Sequence, residues 1–580
     1  MIALIKNIFS SSYKIIPKKV IFIFFLICLS MIIELLSVAT IIPTLTVILD
    51  QNKFINYLSF PGINLINNIN TENIVHYFLF FFLILILVRY LLSILTDILL
   101  VLYSRKIETD LLGILMRSHF ETSWKKLLLQ GSSKFSKNML SDIGTYVSTG
   151  ILPIINLLRS LLVILILFFF LISQKGLIVV QIFFIVILFF YILIKISKSK
   201  LSKASKRNNR IIEYRYEFVA QIINGYREIR ILQLHKHFIN KYLNNEYLFT
   251  RLEILKKLVL ILPKYLIELL LIFSVITLII FNLDDFESSI PFVALIAFVG
   301  LRCQPLFIHI GSSIAYIQVY KDQLNIIQEK IDEIIKDKHK IQPKKAQRNL
   351  FKQKKINLIE FKNVSFSYDD HSEIFKNINI KFEKGNIYGI KGKNGSGKST
   401  LTDLLTGLLE PNTGSIFADE ILIKDDPHSW QNNVSYLSQS FFLFNDSIKN
   451  NITLNFEDNQ MVDKNLYEFS IKKTKLNDLV DQKIEGDNFQ ILDFGKNLSG
   501  GQRQKIALSR LLYKNSDIFI LDEASSAMDQ QSSKNINDLL QSIKKDKIII
   551  IISHSETDLD NCDIVFEIKN CNLVEFKKHD

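Results

Sequence analysis

Long apolar runs fill the first half of the chain and end near residue 325, and this division constrains the fold more than any other feature. A bilayer-spanning helix needs about 20 apolar residues, because each residue adds about 1.5 Å against a hydrocarbon core of about 30 Å. The first run follows Lys18 and Lys19, but it is too long for a signal peptide and no small-residue cleavage site follows it. The sequence therefore predicts six spans, at residues 20–49, 74–103, 151–173, 177–196, 258–281 and 290 to about 316, with a turn at 174–176.

Lysine and arginine concentrate in alternate connections, which predicts the orientation of these spans. The net charge is +13, and the basic residues lie mainly at the N-terminus and in the stretches 104–142 and 197–257. Both termini and both long loops are therefore expected in the cytoplasm, and nucleic acid is not an expected partner. Four cysteines in 580 residues do not make a disulfide scaffold.

The two long basic stretches have apolar residues at helical spacing, which favours helical extensions of the spans over solvated loops. We expect each pair of extensions to turn through a short transverse helix, near 118–126 and near 213–221. The external residues 52–66 are amphipathic and aromatic, and the pattern fits a short interfacial helix and an ordinary loop equally.

A phosphate-binding loop is the first chemical motif of the second half, whose alternating strands and helices are typical of an α/β protein. A buried strand, residues 387–390, runs into a glycine-rich loop and then into the helical segment 401–409. Lys398 is expected to reach the β- and γ-phosphates of a nucleotide, and the Ser399 hydroxyl to hold Mg²⁺. The loop comprises Gly392, Lys393, Asn394, Gly395, Ser396, Gly397, Lys398, Ser399 and Thr400.

Two carboxylates follow a second apolar strand, residues 518–521. The carboxyl edge of a parallel sheet is where α/β proteins bind ligands, so Asp522 and Glu523 are expected near the phosphate loop. Asp522 would join the Mg²⁺ shell, and Glu523 would orient and polarise the attacking water.

Residues 498–502, Leu-Ser-Gly-Gly-Gln, resemble the signature of ABC-type ATPases. The resemblance implies that Tyr368 stacks on adenine, that Gln439 is the Q-loop residue in the Mg²⁺ site, and that His554 is the switch histidine at the γ-phosphate. Residues 526–529 match the D-loop, with methionine where leucine is usual. One departure is the segment before the signature, Asp493-Phe494-Gly495-Lys496, where the family often has Gly-Glu-Arg-Gly.

A chain that combines the predicted spans with an ATPase domain resembles an ABC exporter half-transporter. A soluble ABC ATPase of DNA repair or translation would lack the spans. The expected fold is multidomain: an all-α six-helix transmembrane domain at 1–325, a linker at 326–355 and an α/β P-loop ATPase domain at 356–580. The resemblance implies ATP and Mg²⁺ as cofactors and a second half-transporter as partner, with a homodimer favoured and a heterodimer left open. In that dimer Ser499, Gly501 and Gln502 of one subunit close over ATP held by the other.

Ionisable residues in spans are costly and therefore point to function. Arg89, Lys264 and Arg302 come from three spans and predict a basic wall for a phosphate or pyrophosphate headgroup, with internal ion pairing as the alternative. The membrane half resembles flippases of polyprenyl-pyrophosphate-linked oligosaccharides at Glu34, Pro43, Arg89, Pro263, Lys264, Glu268, Arg302 and Pro305. The expected function is ATP-driven flipping of a lipid-linked glycan in a bacterial inner membrane. The alternatives are an exporter of drugs, peptides or simple lipids, and an ATP-gated channel or regulatory membrane protein.

Overall fold

The chain forms two compact units in a computed structural model. The first unit comprises Met1–Thr122 and Gln130–Ile341, and the second comprises Ser123–Leu129 and Gln342–Asp580. The structure describes residues 8, 10, 17–39, 71–129, 135, 138–281, 286–340, 349–352, 354–369, 373–457, 461–523 and 530–576. The external segment 52–66 and the D-loop 526–529 lie outside these residues.

The regular secondary structure that is described in the first unit is all helical. Its helices are α1 (Pro17–Ala39), α2 (Thr71–Glu121), α4 (Leu152–Asn224), α5 (Tyr226–Ile231), α6 (His235–Phe281), α7 (Phe286–Val319) and α8 (Lys321–Lys340), and α3 (Trp124–Leu129) belongs to the second unit. Two π-helical stretches, Asn138–Asp142 and Tyr146–Ile151, flank the short α-helical turn Ile143–Thr145 ahead of α4. Helix α8 occupies the first part of the predicted linker.

Two described helical stretches, Leu79–Glu121 and Ile143–Ser173, are long and apolar enough to cross a bilayer. The count of six spans stays a prediction. The helical backbone of α4 continues through residues 174–176, where the sequence predicts a turn between two spans. Three residues do not force a break, because lysine and glutamine are good helix formers and one glycine costs only about 1 kcal/mol.

The extensions expected at 104–142 and 197–257 are mainly helical in their described parts, but only one of the two transverse helices lies where it was expected. Helix α2 ends at Glu121 and α3 begins at Trp124, inside the region expected to turn. The second prediction, near 213–221, is wrong: α4 continues to Asn224 and the short helix α5 follows. Gly225, whose backbone N–H donates to Gln221 O, ends α4 and is the signal that helical spacing alone missed.

The second unit is an α/β domain with two sheets. Its strands are β1 (Leu358–Ser367), β2 (Glu373–Glu383), β3 (Ile387–Gly392), β4 (Thr413–Ala418), β5 (Ile421–Leu422), β6 (Val434–Leu437), β7 (Ile518–Asp522), β8 (Ile548–Ile552), β9 (Ile564–Lys569) and β10 (Asn572–Glu575). Its helices are α9 (Lys398–Leu405), α10 (Pro427–Gln431), α11 (Ile448–Thr453), α12 (Lys464–Lys473), α13 (Asn477–Asp481), α14 (Gly500–Lys514), α15 (Gln530–Ile543) and α16 (Glu556–Asp560). Short 3-10 turns lie at Ile423–Asp425, Gly486–Asn488, Asp493–Gly495 and Lys544–Asp546.

One sheet is antiparallel, with strand order β2-β1-β4-β5, and the other has the order β10-β9-β3-β8-β7-β6. In the second sheet β9, β3, β8, β7 and β6 are parallel, and only β10 pairs antiparallel. The carboxyl ends of β3, β8, β7 and β6 therefore lie side by side along one edge.

The central strands are buried on both faces, which explains their continuous apolar sequence. In β8, Ile548, Ile550 and Ile552 pack into the core cluster that contains Phe361 and Trp430. The alternate residues of β8 pack into a second cluster with side chains of α14 and α15. The parallel sheet is thus held rigidly between two cores.

Candidate functional site

The glycine-rich loop joins β3 to α9 and is shaped for a close approach to a ligand. Gly395 and Gly397 have φ of +80° and +104°, a region that favours glycine. A Cβ atom on Gly397 would lie 2.6 Å from Ile374 Cγ2, so this position has no room for a side chain. The loop delivers the chain to the N-terminus of α9, where unpaired backbone N–H groups attract anions.

Lys398, the first residue of α9, turns its ammonium group back over this loop. Its Nζ donates to Gly392 O at 2.8 Å and to Lys393 O at 3.3 Å, and it lies 2.8 Å from His554 Nε2. Partial burial lowers the pKa of Lys398, and the nearby charges of Glu523 and Asp522 oppose that shift. A phosphate placed here would meet a cation that two carbonyl oxygens already orient.

A row of side chains continues from Lys398 along the edge of the parallel sheet. His554 Nε2 lies 3.8 Å from Glu523 Oε1, and Gln439 Nε2 donates to Glu523 Oε2 at 2.6 Å. These residues follow β8, β7 and β6, which are neighbours in the sheet. The strand order therefore brings together Lys398 and His554, expected at the phosphates, Glu523, expected at the water, and Gln439, expected in the Mg²⁺ site.

The two carboxylates after β7 have different environments. Burial, and then the charge of Glu523, raises the pKa of Asp522, while Lys398 opposes the shift. Glu523 has φ of +51°, and its N–H donates to Ile552 O at 2.8 Å, which ties the start of the loop after β7 to β8. The left-handed backbone is uncommon for glutamate, and such conformations concentrate at functional sites.

The donor set fits a nucleotide with Mg²⁺. Ser396 Oγ is buried without a hydrogen-bond partner in the described part of the chain, as expected of a hydroxyl that faces an absent phosphate. Within that same part, no group of three or more His, Cys, Asp or Glu side chains is placed to hold a metal ion. Mg²⁺ needs no such group, because it is usually held by one or two protein ligands together with phosphates and water.

Tyr368 stands beside the helix that follows the loop. Its hydroxyl lies 3.3 Å from Thr400 Oγ1, and its ring packs edge-on against Phe366 with 5.1 Å between centroids. The ring is therefore held at the end of β1, next to the first turn of α9. This placement is compatible with an aromatic platform for the base of a nucleotide whose phosphates occupy the loop.

Comparisons with known proteins agree with this geometry. Residues 375–526 match the family model described as "ABC transporter". Across 96% of this chain and 95% of the other, the structure resembles that of a bacterial Atm1-family ABC exporter with ATP bound, with a TM-score of 0.74 and 17% identity. The chain has the fold of an ABC exporter. A helical unit precedes the α/β unit that contains the residues matching the ABC transporter model.

The similar sequences carry different names. The chain is 34% identical over 223 residues to the ATP-dependent lipid A-core flippase of Pasteurella multocida, which is 38% of this chain and 38% of that protein. It is 36% identical over 223 residues to a leukotoxin translocation ATP-binding protein of Mannheimia glucosida, 38% of this chain and 31% of that protein. The chain thus matches well under half the length of these relatives, and their names include a lipid flippase and a toxin translocator.

The ABC signature forms the N-terminus of α14. Ser499 is its N-cap: Ser499 Oγ accepts from Gln502 N at 3.2 Å, and Gln502 Oε1 accepts from Ser499 N at 2.9 Å. This capping box presents the N–H groups around Gly501 at a helix N-terminus. The described hydrogen bonds of Ser499 and Gln502 stay within the cap, so the signature remains available to a ligand from outside its own helix.

The segment before the signature combines a departure from the ABC sequence pattern with an uncommon backbone conformation. Asp493 and Phe494 both have positive φ, and Phe494 N donates to Asn445 Oδ1 at 2.8 Å. The Phe494 ring is exposed and lies 5.0 Å from the ring of Phe442. An exposed aromatic side chain therefore stands where charged residues are usual.

Sequence reasoning missed how α3 packs on the ATPase domain. Trp124 Nε1 donates to Asp403 Oδ2 at 3.1 Å, and Lys125 Nζ donates to Ser367 O at 3.0 Å. Asp403 lies on α9, and Ser367 precedes Tyr368 in the chain. Helix α3 thus contacts α9, which follows the phosphate loop, and the end of β1 next to Tyr368.

One of the three cations predicted to bind the substrate, Arg89, forms an ion pair within the helical unit. Arg89 binds Glu34 through Nε and Nη2, with N–O distances of 2.7–3.0 Å, and both side chains are largely buried. The Arg302 guanidinium lies 4.9 Å from the Phe298 ring centroid and 5.6 Å from that of Tyr90. Lys264 lies on α6, and its side chain is outside the described part of the chain.

Proposed function

We propose that the chain is an ATP-driven transporter that flips or exports a lipid-linked oligosaccharide or a related anionic glycolipid. The observation that carries the ATPase part is the row Lys398, His554, Glu523 and Gln439 along one sheet edge. A cation for the phosphate and a carboxylate for the attacking water are groups that phosphoryl transfer to water uses, and His554 lies between them.

Each residue of the row has a task at the reacting phosphate. Lys398 and the backbone N–H groups from Gly392 to Thr400 bind the phosphates, and Tyr368 stacks on the base. Glu523 accepts a proton from the attacking water, and His554 positions the γ-phosphate. Ser399, Gln439 and Asp522 would hold Mg²⁺, which neutralises charge on the phosphates when it is bound.

A second half-transporter completes each site in this proposal. The capping box of α14 supports it, because Ser499, Gly501 and Gln502 offer hydrogen-bond donors to an incoming γ-phosphate. The test is a chain carrying both Ser396→Cys and Ser499→Cys, oxidised without nucleotide. We expect a disulfide-linked dimer whose formation ATP changes, whereas chains with either cysteine alone stay monomeric on a denaturing gel. A crosslink within one chain would contradict the shared site.

Helix α3 transmits the state of the site in this proposal. Its contacts with Asp403 and with Ser367 support that role, since these residues belong to the elements that hold phosphate and base. The domain bounds 1–325, 326–355 and 356–580 are part of the same proposal, with the ATPase domain in the cytoplasm of a bacterium and the helices in its inner membrane.

The anionic substrate is proposed from Arg89, Lys264 and Arg302. Arginine binds phosphate through a planar fork of donors, and cations inside a membrane are retained for function. Glu34 already satisfies Nε and Nη2 of Arg89, but Arg89 Nη1 is buried and unpaired among the described residues, so one donor remains for a headgroup.

ATPase activity in proteoliposomes tests the substrate class. We expect a polyprenyl-diphosphate-linked glycan to stimulate hydrolysis. Arg302→Gln should raise the half-stimulating concentration about tenfold, because losing one hydrogen bond from a charged group reduces the binding free energy by an amount that corresponds to that factor. Stimulation by amphipathic drugs or peptides alone would favour an exporter of those compounds. Binding of ATP without hydrolysis would favour a gated channel or a regulatory protein.

A further inference from the structure

Two ionisable clusters lie at different depths in the helical unit. The upper cluster comprises Glu34, Arg89, Tyr90 and Arg302. The lower cluster comprises Asp97 on α2, Arg159 on α4 and His309 on α7. We propose that the lower cluster is a second, transient binding station for the phosphate or diphosphate headgroup, on the cytoplasmic side of the upper cluster. The inference rests on the proposed function and extends it along the transport path.

Helix geometry relates the two clusters. Tyr90 and Asp97 are seven residues apart on α2, and Arg302 and His309 are seven apart on α7. Seven residues make nearly two turns, so each pair shares a helix face and is separated by about 10 Å along the axis. Both helices run toward the basic, cytoplasmic stretches as residue numbers rise. The lower cluster is therefore one step closer to the cytoplasm on both helices.

Side-chain contacts join the helices at both depths. In the upper cluster, the guanidinium of Arg302 on α7 lies over the ring of Tyr90 on α2. In the lower cluster, Arg159 Nη1 donates to Asp97 Oδ1, and His309 lies two turns beyond Arg302 on the same face of α7. Helices α2 and α7 thus contribute to both clusters, and α4 supplies the cation of the lower one.

The two ion pairs differ in the number of hydrogen bonds that hold them, which makes the Arg89–Glu34 pair fixed and the Arg159–Asp97 pair exchangeable. Arg89 uses two nitrogens on both oxygens of Glu34, and the side chains are only 8% and 16% exposed. Arg159 uses one nitrogen on one oxygen of Asp97, and these side chains are 22% and 63% exposed. A pair joined by one hydrogen bond gives up its partner more easily than a buried pair joined by several.

An exchangeable arginine suits a headgroup in transit. The planar guanidinium binds phosphate oxygens well, and Asp97 competes for the same donors. A site along a path must bind strongly enough to be entered and weakly enough to be left, and a built-in competing carboxylate lowers affinity in the required direction. The lower cluster therefore receives an anion by displacing Asp97 from Arg159 and releases it when Asp97 returns.

The test reads occupancy at the lower cluster itself. Val101→Cys places a thiol one turn beyond Asp97, at an exposed position of α2. In the full chain in detergent micelles, labelling of this cysteine by a negatively charged thiol reagent is measured against farnesyl diphosphate. The chain without the added cysteine gives the background from its four native cysteines, and farnesol reports protection by the lipid tail alone. We expect farnesyl diphosphate to protect the thiol and farnesol not to.

Two variants with opposite expected effects distinguish a binding role of the Arg159–Asp97 pair from a purely structural role. Arg159→Gln should raise the half-protecting concentration about tenfold, and Asp97→Asn should lower it, because the competitor is gone. Arg215→Gln breaks a comparable interhelical pair with Glu246 outside the clusters and should change nothing. A folding defect does not imitate the tighter protection of Asp97→Asn.

Two results would overturn the station while leaving the proposed function in place. One is protection unchanged by Arg159→Gln. The other is equal weakening by Arg159→Gln and Asp97→Asn that the exchanged pair, Asp97→Arg with Arg159→Asp, restores. If farnesyl diphosphate also fails to stimulate hydrolysis or protect any part of the chain better than farnesol, the proposed substrate class fails together with the station.

Discussion

Replacing Glu523 by glutamine separates binding from chemistry in the proposed site. The substitution keeps the size of the side chain. In the unchanged chain Gln439 Nε2 donates to Glu523 Oε2 at 2.6 Å, and the amide oxygen of the variant can accept the same hydrogen bond. It removes the charge that faces His554 at 3.8 Å and the ability to accept a proton from water. The architecture of the loop is untouched, because the Glu523 N–H bond to Ile552 O belongs to the backbone.

The size of the expected loss follows from the role of a general base. Such a group contributes about 10²–10⁴-fold to a rate, which is about 3–5 kcal/mol of barrier. We expect ATP hydrolysis by Glu523→Gln to fall by that factor in a phosphate-release assay, while the affinity for labelled ATP is retained. Glu360→Gln, on the antiparallel sheet where Glu360 pairs with Lys362 and Lys381, is the matched control and should hydrolyse ATP normally. A rate within tenfold of the unchanged chain would refute the assignment of Glu523.

Three further substitutions examine the rest of the site. Lys398→Ala should abolish measurable ATP binding by equilibrium dialysis, since the loop loses the ammonium group that its carbonyl oxygens orient, and unchanged affinity would contradict the phosphate-loop assignment. Ser499→Ala should cost about 1 kcal/mol in thermal unfolding and also stop hydrolysis, whereas Ser499→Thr keeps the cap; full activity of Ser499→Ala would leave the residue with a capping role alone. Trp124→Phe should destabilise the chain by about 1 kcal/mol near pH 7.5, because a hydrogen bond to the Asp403 carboxylate is lost. Burial raises the pKa of Asp403 and the bond from Trp124 lowers it, so the destabilisation should shrink as falling pH protonates Asp403; a constant difference across pH would contradict this.

The ATP site was predictable because its residues are attached to recognisable strands. The apolar runs before Gly392, Asp522 and His554 identify parallel strands, and such strands end at one edge of a sheet. The contacts of Lys398 with His554 and of Gln439 with Glu523 follow from the strand order, which the sequence patterns do not state but permit.

Contacts between residues that are far apart in the sequence and belong to no motif were not predictable. Trp124 and Asp403 are 279 residues apart, and neither belongs to a motif. Glu34 and Arg89 are 55 residues apart, and which charges pair across two apolar helices depends on how the helices rotate against each other. Local spacing suggests pairs such as Lys264 with Glu268, one turn apart, but it is silent on pairs between helices.

The end of α4 shows a different limit. The helical spacing of apolar residues continues without a break up to Ile223, so periodicity alone places the transverse helix anywhere in the region. Gly225 marks the position, because glycine is about 1 kcal/mol less favourable than alanine inside a helix and α4 ends just before it. A single glycine is therefore a stronger signal for the end of this helix than the spacing of its apolar residues.

ATP-driven transfer of a lipid-linked glycan is the most direct measurement of the central claim. Full-length chain is reconstituted into vesicles that hold a fluorescent polyprenyl-diphosphate glycan, and a membrane-impermeant quencher reports which leaflet the glycan occupies. We expect MgATP supplied on the side of the ATPase domain to move the glycan to the other leaflet, and Glu523→Gln to stop the movement. Equal transfer with and without ATP, or hydrolysis of ATP with no transfer of any glycolipid, would contradict the account.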